Sequence, residues 1–514
     1  MLTYDFQRYH DFTKTEAFNK QKEALAFVNS QLGKEYANII GGKEVFSEKK
    51  TKSVNPANPA EIIGVFQKSG KDQAEEAIQA AVTAFETWKY FPAEERAKFL
   101  FKAAEVCKRR RMEINAWMIK EVGKNFAEAD ADTAEAIDFL EFYGREMIRY
   151  SQSQPLTAIP QEYNEYFYIP LGVGLIVPPW NFPFAIMVGM TSAAIVTGNT
   201  VVLKPSSDSP MMAWLFADIM REVGLPRGVF NYFVASGAES GDYLVDHPKT
   251  RFIGFTGSVA TGCRINERAA KVNPGQIWLK RVIAEMGGKD TLIVDSETHS
   301  VDAAVDATVT SAFGFQGQKC SACSRVIVDE KIYDEFLVKL IERTKALPIG
   351  SPEDNVRFGP VVSAGAEASI IEYMEIAKQE GKVVLGGNKM DRPGYFLEPT
   401  IVTDLAEDSR ISLEEIFGPV LAVFKSRDFD HALKIANNTS FGLTGGVFTY
   451  NREKLMRARK EFHAGNLYFN RKITGAIVDV HPFGGFNMSG TDSKAGSRDY
   501  LLLFMQGKAV TEQI

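Results

Sequence analysis

A cysteine beside a lysine is the first place in this sequence where covalent chemistry is visible. Cys320 stands in Phe315-Gln-Gly-Gln-Lys319-Cys320-Ser321-Ala-Cys323, where the Lys319 ammonium can favour the thiolate, the nucleophilic form of the side chain. The spacing to Cys323 is also that of a C-x-x-C pair. With no second pair and no nearby histidine a zinc site lacks ligands, and the pair does not open a helix in a small thioredoxin-like domain, so no metal is expected. A thiol nucleophile needs a base or an activator of water. Glu285, in Ala284-Glu285-Met286-Gly287-Gly288-Lys289, follows an apolar run that can bury a carboxylate and raise its pKa. Taken alone, it suits an ordinary loop carboxylate better than a base.

Two further segments suit phosphate and ribose. The apolar run from Arg251 enters Gly254-Phe255-Thr256-Gly257-Ser258 and then Gly262, where a helical pattern starts. Glycines there allow a tight turn, and the free N–H groups of a helix start favour a pyrophosphate. It is not the G-x-G-x-x-G pattern, and a purely structural turn fits as well. The run Thr200–Lys204 ends in Lys204-Pro205-Ser206-Ser207, and carboxyl ends of strands in a doubly wound sheet are where ligands collect. A solvated lysine at a strand end is the alternative.

The elements that must position these residues follow from the apolar pattern. Up to about residue 150 the chain is mostly helical, with Ala136, Phe139, Leu140, Tyr143 and Met147 on one face of a helix, and with Asp72 and Glu75 spaced as a capping box. From Val173 to Asp295, short apolar runs alternate with helix-length segments, which implies a parallel sheet covered by helices. A second alternating region spans about residues 301–465. The Gly- and Ser-rich stretch from Pro482 to Ser497 is expected to be loop, followed by a final strand, Tyr500–Met505. From Tyr166 to Leu203 no residue is charged, long enough to span a bilayer. Pro178, Pro179 and Pro183 break any such helix, so a buried strand, turn and helix are expected instead.

Composition narrows the function classes. The chain has 514 residues, 59 basic and 65 acidic, four cysteines and six histidines. It is long enough for several domains. Its net charge of -6 argues against nucleic acid or an anionic membrane as partner. The sparse cysteines exclude a disulfide framework and, with no apolar leader, lead us to expect the cytoplasm.

Taken together the motifs are more specific than any one of them. Pro179-Trp180-Asn181-Phe182-Pro183, Lys204-Pro-Ser-Ser207, Phe255-Thr-Gly-Ser258, Glu285-Met-Gly-Gly-Lys289, Gly317-Gln-Lys-Cys320, Glu414-Glu415-Ile-Phe417-Gly-Pro and Pro482-Phe483-Gly-Gly occur in the order of the aldehyde dehydrogenase superfamily, over roughly residues 38–510. Through Gly314–Cys323, Tyr468–Ile477 and Met488–Gly496 the chain resembles the branch that acts on Δ1-pyrroline-5-carboxylate. The resemblance implies an α/β fold: an N-terminal helical segment (1–37), an open Rossmann-type cofactor domain (38–147 and 168–284), an α/β catalytic domain (285–476), and a β-arm for oligomerisation with the C-terminal tail (148–167 and 477–514).

The same resemblance implies roles. Cys320 is the nucleophile, Glu285 the base that activates water, and Asn181 with the Cys320 N–H the oxyanion hole. NAD is implied as cofactor, held by Val177, Pro178, Pro179, Trp180, Lys204, Ser206, Ser207, Gly237, Gly241, Phe255, Thr256, Gly257, Ser258, Glu415 and Phe417. Many NAD-preferring relatives carry Glu where Ser207 stands, so NADP is expected to be usable as well. The substrate set is Glu135 for an α-ammonium, Phe182 and Phe483 around the aliphatic chain, Ser321, Gly475 and Ala476 at the α-carboxylate, and Lys319. The implied reaction oxidises L-glutamate γ-semialdehyde to glutamate. The alternatives are another semialdehyde dehydrogenase, such as one for succinate semialdehyde, or a noncatalytic nucleotide-binding scaffold. A homo-oligomer, at least a dimer, is implied because an isolated two-stranded arm exposes its edges.

Overall fold

Asn125 opens the helix Phe126–Tyr150 by accepting the N–H of Glu128, and Phe139, Leu140, Tyr143 and Met147 of that helix are buried as their spacing predicts. The structure, a computed structural model, describes residues 4–235 and 240–514. Around this helix pack Ala93–Arg109, Arg111–Val122 and Ala185–Val196, and Thr15–Asn29 packs on Arg111–Val122. The spacing of Asp72 and Glu75 does not produce a capping box. The helix Lys71–Trp88 starts earlier, at Gly70, which has no side chain to cap with, and the Glu75 carboxylate instead accepts the Tyr243 hydroxyl and faces His247.

The alternating region forms a seven-stranded sheet. Its order is Arg281–Glu285, Thr250–Thr256, Val173–Val177, Thr200–Leu203 and Phe230–Tyr232, all parallel, then Asn38–Ile40 and Lys43–Val45 antiparallel. A second seven-stranded sheet runs Lys382–Leu385, Thr400–Thr403, Val420–Ser426, Cys323–Asp329, Asp290–Val294, Thr444–Phe448 and Asn466–Phe469, parallel except for its first strand. The uncharged run is explained by burial. The strand Val173–Val177, the helix Ala185–Val196 and the strand Thr200–Leu203 are almost wholly enclosed, and their apolar character on all sides is what an interior position requires. Among the described residues no helix is long and apolar enough to cross a membrane.

Three features differ from the sequence expectation. A three-stranded sheet, Glu35–Tyr36, Asn58–Gln67 and Lys50–Asn55, interrupts the helical N-terminal part. The apolar residues Tyr500–Phe504 form a 3₁₀ turn, with Tyr500, Leu501 and Phe504 in the core, and the final strand is the polar Met505–Gln513. That strand pairs antiparallel with Glu162–Pro170 as a two-stranded arm. The expected tail unit therefore divides: residues 477–504 pack on the body, and only 505–513 join the arm.

Candidate active site

Chain order explains where a site must lie. From Val173–Val177 the chain steps outward through Thr200–Leu203 and Phe230–Tyr232. It then returns to the other side of Val173–Val177 and adds Thr250–Thr256 and Arg281–Glu285. The direction reverses between Val177 and Thr256, and a crevice opens at such a switch point beyond the carboxyl ends of parallel strands. Glu285 ends the last of these strands, opposite Thr256. Only a few residues later Asp290 begins the second sheet, whose neighbouring strand starts at Cys323. Carboxyl ends of one sheet thus meet amino ends of the other, and between them lies a cavity of about 110 Å³. Its walls include Cys320, Glu285, Ser321, Glu135, Phe182, Thr256, Gly475, Ala476 and Phe483.

Cys320 reaches the cavity on a strained turn. Phe315 and Gln316 have φ of 50° and 56°, and Gly317 follows at 69°, a run of left-handed residues that persists only where the surroundings impose it. A Cβ at Gly317 would lie 2.4 Å from the Gly418 carbonyl oxygen, so only glycine fits there. Asn181 is tied to the same turn, donating one amide hydrogen to the Gln318 carbonyl at 3.1 Å; its second remains for another acceptor. The expected help from Lys319 is absent. Its ammonium turns onto both oxygens of Glu128, at 2.7 Å each, and Lys319 is not among the cavity walls. The Cys320 thiol is instead pushed up, first by burial and then by the carboxylates of Asp290, Glu415 and Glu285. Cys323 is buried in its strand and directs its sulfur at the Arg325 carbonyl.

Burial also pushes the Glu285 carboxyl up, to about 8, opposed by hydrogen bonds from the Ser493 hydroxyl and the Gly485 N–H and by the charge of Lys494. The long connection before this strand exposes Ile277 and Leu279, yet the pairing of Thr256 with Glu285 is regular. Glu415 accepts the Gly288 N–H at 3.0 Å, and burial raises it to about 7. A Cβ at Gly287 would sit 2.0 Å from a Glu415 oxygen. The glycine pair thus lets the carboxylate approach the backbone.

The remaining dinucleotide candidates gather along the crevice. Val177 ends its strand and leads into Pro178, Pro179 and Trp180. The Trp180 ring meets Phe417 edge-on at 5.5 Å. Phe255, Thr256 and Gly257 follow the neighbouring strand, and the exposed Ser258 caps the helix Val259–Ala269. Lys204 is buried, and burial alone lowers its pKa, leaving its ammonium suited to hydroxyl acceptors. Ser206 accepts the Asp208 N–H, and Ser207 is exposed. Gly241 approaches Lys204, whereas Gly237 lies outside the described residues. A capped helix start, glycines and a buried lysine along one crevice fit a dinucleotide.

Sequence reasoning missed part of the wall. Phe139 and Tyr143, read only as an apolar helix face, line the cavity, and Tyr143 stacks on Tyr500 with centroids 5.5 Å apart. His481 lines it too, facing Arg471. Beneath Phe182, Lys124 lies 3.9 Å from the ring centroid and pairs with fully buried Asp132, which also accepts the Ala185 N–H. Among the described residues no group of three or more His, Cys, Asp or Glu side chains is arranged to hold a metal.

The aldehyde dehydrogenase family model matches residues 45–510. This chain belongs to the aldehyde dehydrogenase family. Over 510 residues it is 56% identical to the 1-pyrroline-5-carboxylate dehydrogenase of Geobacillus thermodenitrificans, covering 99% of each chain. It is 53% identical to the enzyme of that name from Bacillus subtilis, again over 99% of both. A crystal structure of 1-pyrroline-5-carboxylate dehydrogenase from Thermus with bound NAD superposes with a TM-score of 0.99 at 47% identity, over the full length of both chains. Within the aldehyde dehydrogenase fold, the two sheets that frame the cavity are the α/β architecture expected from the alternating apolar runs.

Proposed function

We propose that this protein oxidises L-glutamate γ-semialdehyde, the open form of Δ1-pyrroline-5-carboxylate, to L-glutamate with NAD. The observation that carries the reading is one cavity bringing together a thiol, a carboxyl of raised pKa and a second carboxyl, Glu135, placed for a cation. The names of its full-length relatives support the same substrate.

The Cys320 sulfur attacks the aldehyde carbon. Its proton needs an acceptor, and Glu285, on the same cavity and raised toward the thiol range to about 8, is one. The free Asn181 amide hydrogen and the Cys320 N–H stabilise the oxyanion. When bound, the dinucleotide supplies the acceptor for the hydrogen and electron pair leaving the aldehyde carbon. A thioester then remains on Cys320; Glu285 passes the thiol proton to solvent and, ionised again, takes a proton from the water that cleaves the thioester. Trp180, Lys204, Ser258, Glu415 and Phe417 hold the dinucleotide, the exposed Ser207 leaving room for the extra phosphate of NADP.

Substrate choice rests on charge. Burial, reinforced by Asp132 and only partly opposed by Lys124, raises Glu135 to about 8, and an α-ammonium supplies the further positive charge that favours its ionised form. Ser321 and the N–H groups at Gly475 and Ala476 suit the α-carboxylate, with Gly475 at φ 78°. Lys319 acts there only through its pair with Glu128. Removing one partner of a buried charge pair costs roughly 2–5 kcal/mol. Glu135→Ala should therefore lower kcat/KM for pyrroline carboxylate by about 10²-fold while sparing succinic semialdehyde, which has no ammonium. Equal losses on both substrates would overturn the assignment.

We further propose that residues 38–147 and 168–284 serve the cofactor, 285–476 catalysis, and the paired strands Glu162–Pro170 and Met505–Gln513 a homodimer at least. Support comes from the two-stranded arm and from exposed Tyr163, Val510, Ile514, Ile277 and Leu279. Sedimentation should give a mass of at least two chains; a monomer at micromolar concentration would refute it.

A further inference from the structure

The loop after Phe483 holds the strand that carries Glu285. The Thr491 hydroxyl accepts the Ala284 N–H at 3.0 Å, the Thr491 N–H donates to the Ala284 carbonyl at 2.9 Å, and the Met286 N–H donates to the Ser489 carbonyl at 2.7 Å. Glu285 itself bridges to Gly490. The backbone on both sides of the carboxylate is therefore fixed by a segment about 200 residues away in sequence.

The same loop reaches the carboxylate. One oxygen accepts the Ser493 hydroxyl at 2.5 Å, and the other accepts the Gly485 N–H at 3.3 Å. Two glycines make room: a Cβ at Gly484 would lie 2.8 Å from the first oxygen, and one at Gly490 would lie 3.1 Å from the second. Next to Ser493, the Lys494 ammonium is anchored by the carbonyls of Gly465, at 2.8 Å, and Gly484. It is a fixed cation beside Glu285 that does not bond to it.

We propose that Ser493 is a positioning residue for Glu285: its hydroxyl orients the carboxylate and favours the ionised form that draws a proton from the attacking water. The inference rests on the reading of Glu285 as the base. A hydroxyl that donates to a carboxylate stabilises the charged form, and the Gly485 N–H alone cannot hold both oxygens. The other groups facing Glu285 are Lys494, which favours its charge, and Asp492, Cys320 and Tyr500, which oppose it. None of them changes when the Ser493 hydroxyl is removed.

The test uses the full chain with NAD, pyrroline carboxylate and two variants, Ser493→Ala and Ser493→Thr. In Ser493→Ala the acid limb of the kcat profile should move up by about one pH unit, tenfold in the ionised fraction below it. KM should stay within about twofold. Thioester cleavage should become the slow step, so a burst of NADH precedes the steady state. Ser493→Thr, which keeps a hydroxyl, should restore both profile and kinetics. A structural role alone lowers the amount of active enzyme and leaves the profile and burst of the folded fraction as in the unmodified protein; that result overturns the proposal. A shifted profile that Ser493→Thr fails to restore also overturns it. Glu285→Gln is the control for the underlying reading: if it turns over like the unmodified protein, the base assignment falls, whatever Ser493→Ala does.

Discussion

Cys320→Ala is expected to abolish NADH formation from pyrroline carboxylate, lowering kcat by at least about 10⁴-fold. The size follows from what the thiol does in the proposed reaction. It is the only proposed group that bonds to the substrate carbon, and no neighbour replaces it: Cys323 is buried with its sulfur directed at the Arg325 carbonyl. Serine is no substitute. An alcohol in this setting is harder to deprotonate than the thiol, which is itself pushed up by burial and by Asp290, Glu415 and Glu285. The same shift predicts a direction with pH. A thiol of raised pKa is protonated at neutral pH, so attack speeds up as pH rises. Stability should change by no more than about 1 kcal/mol, because one sulfur on a cavity wall is lost rather than a packed side chain. The check is steady-state NADH formation at saturating aldehyde, alongside thermal melting with NAD present. Activity within tenfold of the unmodified protein would remove Cys320 from the mechanism.

Where the sequence was legible, the signal was contiguous. The pieces that line the cavity from short motifs, Phe182, Glu285 to Met286 and Cys320 to Ser321, stand on runs whose composition marks turns at the ends of buried strands. The sheets were visible because burial on both faces leaves uncharged runs between helix-length segments. Where reading failed, the deciding contact was distant in sequence. Lys319 looks like a partner of its neighbour Cys320, but Glu128, 191 residues earlier, takes its charge. Ser493 looks like one serine in a polar loop, and its role appears only when Glu285, 208 residues away, is brought to it. Tyr500–Phe504 has the apolar content of a strand, and its position under the core converts it into a tight turn. The sheet around Lys50–Asn55 and Asn58–Gln67 was missed because its alternation is polar on the outer face and weak on the inner.

Glu285→Gln is expected to separate the two halves of the proposed reaction. The amide is nearly the same size and can still accept the Ser493 hydroxyl, so the loop that clamps Ala284 and Met286 should keep its place. It cannot take a proton from water. Loss of a general base is typically worth about 10²–10⁴-fold, and the steady-state rate should fall by that range. If some thiolate still forms without Glu285, the first half of the reaction runs once and stops at the thioester, giving one NADH per site followed by a slow phase. Hydroxylamine, which needs no base to attack a thioester, should restore turnover. The pH dependence has a definite sign. Burial raises the carboxyl to about 8, and a raised acid gains its charge only as pH rises through that value. Hydrolysis in the unmodified protein should therefore climb between about pH 7 and 9, and the slow phase that follows the single NADH in Glu285→Gln, without hydroxylamine, should lack that climb. A variant that keeps both the rate and the alkaline rise would show that another group activates the water. Lys289, buried without a hydrogen-bond partner among the described residues and lowered to about 7, would then be the next residue to replace.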